Sequence, residues 1–361
     1  TEPRVAAGKR YIISRRPLPR NPSMNQEWNN FLAQQGASAD TLDFGNPTGE
    51  LADAQTGSIM TPLTDLGLIR ASGADAVDFL HNLLTNDVEA LPADGANRYG
   101  FCTPKGRLLA SILMWRDGAD LMLSLAADLH EGIFKKLSMY VLRSQVKLSD
   151  ASGQQVIIGL AGAQAEAALA GFGALPATTM HTTAIDNGRI IRIGDQRYLL
   201  VLDAAAAPAA WQKLSTHARP AGLNAWRWLD ICSGVPQISA ATQEEFIPQM
   251  INYELIGGVS FKKGCYPGQE IVARTQYLGK IKRRMYRAHL EGGQPVAGSP
   301  IFAPETGDQA CGMVVNAAAA PHGGHDVLAV IQTSCADAGR LYLGDRNGPL
   351  LTIHPLPYQV S

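Results

Sequence analysis

The sequence has few cysteines and no local cysteine pair. Its 361 residues include five cysteines, an odd number, none of them in a C-x-x-C motif: Cys102, Cys232, Cys265, Cys311 and Cys335. Widely spaced single cysteines argue against a disulfide framework and against a local zinc knuckle. The chain also lacks the glycine fingerprint that opens a Rossmann dinucleotide-binding domain. Each cysteine must therefore be weighed on its own.

Long apolar runs and an excess of one charge are missing as well. No stretch approaches the roughly 20 apolar residues that a membrane-spanning helix needs, and no secretory core precedes the first predicted domain. The formal net charge is -1, which gives the whole chain no electrostatic reason to bind nucleic acid or an anionic membrane. We therefore expect a cytoplasmic protein without a membrane partner, whose contact with any nucleic acid would need a local basic patch.

The chain begins with a basic segment. Residues 1–23 are rich in arginine, and prolines cluster near their end. We interpret them as an extension before Met24, a possible natural start; a native arm that contacts an acidic partner is the alternative. Helical character at 26–32 precedes a stretch that is predicted to be loop-rich as far as Gly57. Residues 1–60 are thus assigned to an N-terminal extension and lead-in.

A module with the order strand, helix, hairpin, helix is predicted for residues 61–150. An apolar strand leads into a helix for which Ser72 is a plausible N-cap. Two apolar runs then flank Asp117-Gly118, which is a hairpin signal, and a helix is predicted at 128–140.

The same order recurs in residues 151–220, where the hairpin is centred on Gly194-Asp195. Two such modules imply an internal pseudo-repeat and an α+β fold, in which antiparallel sheets carry helices on one face. Residues 221–284 are expected to complete the first module. In residues 285–361, short apolar stretches alternate with glycine and proline turns, a pattern typical of a small β-barrel.

The clearest chemical signal is the segment Lys263-Gly264-Cys265-Tyr266-Pro267-Gly268-Gln269-Glu270. Glycine adopts backbone angles closed to other residues, so two glycines around the cysteine predict a tight loop that displays Cys265. Lys262 and Lys263 favour the thiolate, which is the form that attacks electrophiles and binds metals. On spacing alone the alternative stays open, in which Cys265 is a small residue that fills a turn.

With its continuation Ile271-Val272-Ala273-Arg274, this octapeptide resembles the signature of the YgfZ family. These are folate-binding relatives of the glycine-cleavage T-protein that support iron–sulfur proteins and tRNA modification. The resemblance runs from about Thr61 to the end of the chain, through 246–249, 257–261 and the closing 354–358. It implies a T-protein-like arrangement of two α+β modules and a β-barrel around a central folate-type pocket.

The resemblance also implies which residues carry the chemistry. Cys265 would act as a thiolate nucleophile or a transient metal or sulfur ligand, and Lys263 would lower its pKa. Gln269 and Glu270 would position the thiol by hydrogen bonds, and Arg274 would orient Cys265 or Glu270. The supporting positions of the signature are Gly264, Tyr266, Gly268, Gln269, Glu270 and Arg274.

The chain departs from its relatives at two sites, which involve three residues. T-proteins have two adjacent aspartates where this chain has Ala110 and Ser111, and neither residue can supply the charge or basicity of a carboxylate. Aminomethyltransferase activity is therefore not expected. Relatives often carry a glutamate, able to pair with a pterin ring, where this chain has Cys232, and a thiol is not a bidentate acceptor. Asp230 lies nearby but out of register, so no individual cofactor-binding residue is predicted.

Other candidates have plainer readings. The four remaining cysteines lie among apolar residues and are expected to be structural. His322 and His325 could coordinate a metal, but no carboxylate or thiol has ligand spacing to them, and a solvated turn is preferred. No metal site is predicted.

A basic cluster follows the signature, with Tyr277 and Tyr286 interleaved; it comprises Arg274, Lys280, Lys282, Arg283, Arg284 and Arg287. It could meet a folate glutamate tail, tRNA phosphates or an acidic protein, or it could be a solvated strand face.

The main hypothesis is a folate-binding accessory protein for iron–sulfur cluster assembly or maintenance, supporting enzymes such as tRNA methylthiotransferases. Tetrahydrofolate or a derivative would be its cofactor, and iron–sulfur enzymes or assembly proteins its partners. The alternative is a folate-dependent one-carbon transferase with Cys265 as covalent carrier. A third hypothesis, a module that binds tRNA through the basic cluster, is disfavoured by the near-neutral net charge.

Overall fold

The computed structural model describes residues 25–38, 42–277, 279 and 281–360. The basic segment at 1–23, the possible start at Met24 and Lys280 of the basic cluster lie outside the described residues.

Helices in the described part of the chain are mostly short. They are α1 Gln26–Gln34, α2 Pro47–Thr56, α3 Ala76–His81, α4 Ala127–Val141, α5 Ala165–Leu169, α6 Ala207–Leu214, α7 Leu223–Cys232, α8 Gln269–Tyr277 and α9 Thr333–Ala338, with 3-10 turns at Ala204–Ala206, Pro248–Ile251 and Pro304–Thr306. Within the residues described, none of these helices has the length and apolar character needed to cross a membrane.

The strands of the described residues form three sheets. They are β1 Ser58–Pro62, β2 Leu66–Ser72, β3 Ala96–Cys102, β4 Leu108–Asp117, β5 Asp120–Ala126, β6 Lys147–Asp150, β7 Gln155–Gly162, β8 Thr182–Ile185, β9 Gly188–Gly194, β10 Arg197–Asp203, β11 Arg219–Pro220, β12 Arg283–Leu290, β13 Pro300–Phe302, β14 Ala310–Ala319, β15 His325–Gln332, β16 Leu341–Leu343 and β17 Leu350–His354.

The first sheet has the strand order β3-β4-β5-β2-β6, and its neighbours are antiparallel. The predicted hairpin at Asp117-Gly118 and the helix that follows it are confirmed as β4, β5 and α4. The predicted N-cap at Ser72 is wrong. Ser72 is the last residue of β2, the chain turns at Gly73 with φ +112°, and Asp75 is the residue that precedes α3.

The second sheet has the order β11-β1-β7-β10-β9-β8. It includes β1, which spans residues on both sides of position 60/61, because Ile59 pairs with Ala161 of β7. Helix α1 also packs on this side, where Trp28 and Leu32 are buried with Trp211 in one core cluster. The domain boundary predicted between residues 60 and 61 remains a prediction. The described residues of the lead-in pack against the second sheet.

The sequence predicts a loop-rich lead-in, but part of the lead-in is helical. Helix α2 occupies ten of its residues because Asn46 accepts a hydrogen bond from the Gly49 N–H as N-cap and Pro47 fits the first helical position.

The C-terminal strands form a closed barrel in the order β12-β15-β14-β13-β16-β17. Apolar side chains fill it, together with Cys311 and Cys335, which are both buried. Burial and the neighbouring Cys335 raise the pKa of Cys311 to about 12. The predicted α+β fold with a C-terminal β-barrel is confirmed.

Helix α7 joins the three sheets through polar contacts. Arg227 forms an ion pair with Asp65 at the entrance to the first sheet (2.6 Å). The Trp228 indole donates to Asp326 of the barrel (3.0 Å), while Asp230 accepts from Arg197 of the second sheet (2.7 Å). Because these contacts extend from one short helix to three different parts of the structure, α7 fixes the positions of the sheets relative to one another.

Glu50 of α2 fixes the start of α7. Its buried carboxylate accepts hydrogen bonds from the backbone N–H groups of Phe44 (2.7 Å), Asn46 (3.3 Å) and Gly222 (2.8 Å), the last being the N-cap of α7.

Replacing Glu50 with alanine should lower the free energy of unfolding by about 3 kcal/mol, because three backbone donors lose an ionised acceptor and one of them is buried. Glu50→Gln keeps an acceptor oxygen and should cost less. Urea titration followed by tryptophan fluorescence measures both. Glu27→Ala on the exposed face of α1 is the control and should change stability by less than about 0.5 kcal/mol. Equal stability of Glu50→Ala and the parent would contradict this role.

Candidate functional site

Cys265 lies in an irregular segment that leads into α8, and its side chain is exposed. The segment is tied to the first sheet at its beginning, where the Ser260 N–H donates to the Thr85 carbonyl (3.0 Å). The Thr85 hydroxyl in turn donates to the Gly258 carbonyl (2.6 Å). An exposed thiol thus follows a stretch of chain whose backbone is firmly bonded.

Lys263 is buried, although it is a lysine two residues from an exposed cysteine. Its ammonium donates hydrogen bonds to the carbonyls of His81 and Leu84, at the end of α3, where helical carbonyls lack internal partners. It also lies 4.9 Å from the centre of the Tyr266 ring. The contacts assign Lys263 an anchoring role, with its donors directed at the backbone.

Burial also changes the protonation of Lys263. Desolvation lowers the pKa of its ammonium to about 8, against the opposing effect of the Asp87, Glu89 and Cys265 side chains.

Gly268 closes the loop against the turn between β3 and β4. Its φ is +84°, and a Cβ built on it would lie 2.4 Å from the Thr103 carbonyl oxygen and 2.6 Å from the Gly106 Cα. Only glycine meets both the backbone angle and the close approach. The two glycines of the signature therefore differ, because a Cβ on Gly264 would have as its nearest neighbour His81 Nε2, at 3.8 Å.

The other signature residues support the loop more than the thiol. Gln269 Nε2 donates to the carbonyls of Lys263 (3.4 Å) and Gly264 (3.3 Å), and Tyr266 is buried. Glu270 and Arg274 are exposed on α8. Within the described part of the chain, neither has a hydrogen bond or ion pair to Cys265, and the roles of Glu270 in positioning the thiol and of Arg274 in orienting Cys265 or Glu270 stay predictions.

A second group of side chains gathers where the three sheets meet. It contains Arg98 of β3, Arg197 of β10, Asp230 of α7 and Tyr358 of the C-terminal tail. Arg197 donates to Asp230 and lies over the Trp226 ring, 4.5 Å from its centre. Tyr358 donates to the Gly234 carbonyl (2.8 Å).

Members of this group are reached by solvent although protein surrounds them, which we interpret as a recess. The Asp230 side chain keeps 33% of its surface accessible, yet desolvation raises its pKa against the effect of Arg197. Desolvation likewise lowers the pKa of Arg98, which is only half-buried. Groups that solvent reaches and protein surrounds are typical of a concave site.

Arg98 was missed by sequence reasoning. Its guanidinium makes a long contact with Met180 Sδ (3.9 Å), and within the described residues it forms no ion pair. The available signal was a charged residue inside a strand whose following residues, from Tyr99 to Cys102, are buried. We refer to Arg98, Arg197, Asp230 and Tyr358 as the central recess.

The departures from the T-protein pattern have structural roles. Ala110 is fully buried, and the Ser111 hydroxyl accepts a hydrogen bond from the Ile238 N–H (2.9 Å). Cys232 is half-buried at the end of α7, and burial raises the pKa of its thiol to about 11, so it stays neutral near pH 7.

The basic cluster is not one surface. Arg284 is buried and pairs with Glu254, and Arg287 pairs with Asp326 (3.0 Å). Lys282 and Arg283 are exposed. The described members of the cluster therefore do not form one continuous surface, because strand β12 turns some of these side chains inward.

Comparison with known proteins shows the relationships of this chain. The protein-family model described as the GCVT N-terminal domain matches residues 41–181 of this chain. The tRNA-modifying protein YgfZ of Serratia proteamaculans (strain 568) is 32% identical over 305 residues, which cover 83% of this chain and 92% of that protein. Its namesake from Yersinia pseudotuberculosis serotype IB (strain PB1/+) is 33% identical over 304 residues, with the same coverage.

A solved structure extends the likeness to the fold. Glycine cleavage system aminomethyltransferase T from Bartonella henselae matches with a TM-score of 0.76 at 18% identity, over 91% of this chain and 96% of that one. At this identity the match speaks for the fold alone. With the signature around Cys265 and the extent of the matches to its relatives, the chain belongs to the YgfZ family, and its fold resembles that of the glycine-cleavage T-protein.

Proposed function

We propose that this protein is a folate-binding accessory protein that supports iron–sulfur enzymes, with tRNA methylthiotransferases as clients, in the cytoplasm. The observation that carries the proposal is the exposed thiol of Cys265 on a loop held by Lys263 and Gly268. The name of the curated relatives, tRNA-modifying protein, supports the connection with tRNA.

The role of the loop is presentation. Holding a thiol on a fixed backbone lowers the entropy lost when a partner docks on it, so a transient contact can form without reordering the chain. In the proposal, Cys265 loses its proton to solvent and serves as a transient thiolate ligand to iron in the client's cluster. Lys263, Gln269 and Gly268 hold the loop and take no part in the ligation.

The central recess is the proposed folate site. A folate carries carboxylates on its glutamate portion, and Arg98 offers a guanidinium suited to a bidentate carboxylate contact. Asp230 is already bonded to Arg197, and the Cys232 thiol offers no bidentate acceptor, so the pterin ring lacks its usual acidic partner here. The donor set therefore fits the anionic end of a folate better than the pterin end.

The alternatives have less support. A one-carbon transferase of the T-protein type would need a carboxylate where Ala110 and Ser111 are buried, and the Ser111 hydroxyl is committed to Ile238. A module that binds tRNA directly would need the basic cluster as one surface, but Arg284 and Arg287 are paired within the protein.

The thiol is tested in bacteria that lack their own YgfZ. Cys265→Ala should abolish the restoration of methylthiolated adenosine in tRNA, measured by mass spectrometry at matched protein levels, whereas the parent restores it. Lys262→Ala changes an exposed neighbour on the same loop and should restore as well as the parent. Equal restoration by Cys265→Ala and the parent would refute the thiol's role.

The recess is tested by isothermal titration of 5-formyltetrahydrofolate. Arg98→Gln removes one charge-assisted contact and should weaken binding by about tenfold to a hundredfold. Arg143→Gln, at an exposed position next to the end of α4, should leave the affinity unchanged. Unaltered affinity in Arg98→Gln would place the folate elsewhere.

A further inference from the structure

Next to the Cys265 loop, one imidazole and two carboxylates converge. The donor atoms of His81, Asp87 and Glu89 all lie within 4.8 Å of one another. His81 Nδ1 is 3.3 Å from Asp87 Oδ1 and 3.9 Å from Glu89 Oε1. His81 ends α3, and the two acids follow within eight residues, so one short stretch of chain supplies the whole set.

The imidazole points to a missing ligand. His81 is buried, with 8% of its surface exposed, and its Nδ1 has no hydrogen-bond partner although it is buried and faces the carboxylates. A buried polar atom without a hydrogen bond costs free energy unless something bonds to it. We propose that His81, Asp87 and Glu89 bind a first-row divalent cation, which supplies the partner that Nδ1 lacks.

Two of the three donors are held in place. The backbone at His81 is fixed because its carbonyl accepts from the Lys263 ammonium. Asp87 is fixed at both ends, since its Oδ1 accepts from the Ala90 N–H (3.0 Å) and its carbonyl accepts from the Tyr99 hydroxyl (3.2 Å). Glu89, whose side chain is 61% exposed, leaves the site open to solvent on one side. Such preorganisation is what a cation site requires.

The donor set selects the type of cation. One imidazole nitrogen with two carboxylate oxygens suits Mn²⁺, Fe²⁺ or Zn²⁺, with water in the remaining positions. The Lys263 ammonium lies near enough to act on Asp87 and Glu89, but it forms no ion pair with either among the described residues, because its donors face carbonyls. Two carboxylates against one ammonium leave the site negative.

The site adjoins the loop that displays the thiol. The other ring nitrogen of His81, Nε2, lies 3.8 Å from where a Cβ of Gly264 would be. A bound cation would thus stabilise the end of α3, which lies beside the Cys265 loop. Cation binding is measured on the isolated protein, so its failure would leave the proposed function untouched, and the reverse also holds.

Titration of tag-free protein with Mn²⁺, followed by the electron paramagnetic resonance signal of the free ion, tests the site. Mn²⁺ prefers oxygen and nitrogen to thiolate, so the cysteines compete little. The parent should bind one ion. Glu89→Gln, at an exposed position that folding does not need, should weaken binding by at least about tenfold, as should His81→Ala.

Two controls should bind like the parent: His322→Ala, which removes an exposed histidine elsewhere, and Cys265→Ser, which removes the neighbouring thiol. Absence of Mn²⁺ binding by the parent, or unchanged binding by Glu89→Gln, would overturn the proposal. Loss of binding in Cys265→Ser would also overturn it, because the ion would then be held by the thiol and not by the three donors.

Discussion

The buried ammonium of Lys263 is the interaction on which the arrangement around Cys265 depends. A buried charge must be paired or strongly hydrogen-bonded, and this one is satisfied by the carbonyls of His81 and Leu84 and by the face of Tyr266. The same contact completes the end of α3, which would otherwise leave carbonyls without partners. One side chain therefore fixes both the loop that displays a thiol and the helix end beside it.

The assembly of the three sheets likewise depends on one short element. Helix α7 is only ten residues long, yet Arg227, Trp228 and Asp230 bond to a different sheet each. Polar contacts between sheets are directional, so they set orientation in a way that apolar packing alone does not. The central recess lies where these contacts meet. Among the described residues, Arg98 of this recess has no ionic partner.

Periodicity and turn residues were enough to predict the α+β class, both hairpins and the barrel, because these depend on local signals such as Asp117-Gly118. The signature identified Cys265 as exposed through its glycines. Burial of Lys263 could not be read from the sequence, since its partners are backbone carbonyls about 180 residues away. The convergence of Arg98 with Asp230 likewise depends on long-range packing that no local pattern encodes.

Strand β4 shows how a fold keeps its architecture while its chemistry changes. Where T-proteins carry acids, Ser111 bonds to the Ile238 N–H, and the neighbouring Leu108 N–H bonds to the Phe246 carbonyl (2.8 Å). Arg107 adds contacts to the carbonyls of Glu244 and Glu245 (3.1 and 2.6 Å). The N-terminal end of β4 thus attaches the segment that leads to the signature loop. In the proposed function the reactive group is the single exposed thiol of Cys265, which suits contact with another protein better than turnover of a small substrate.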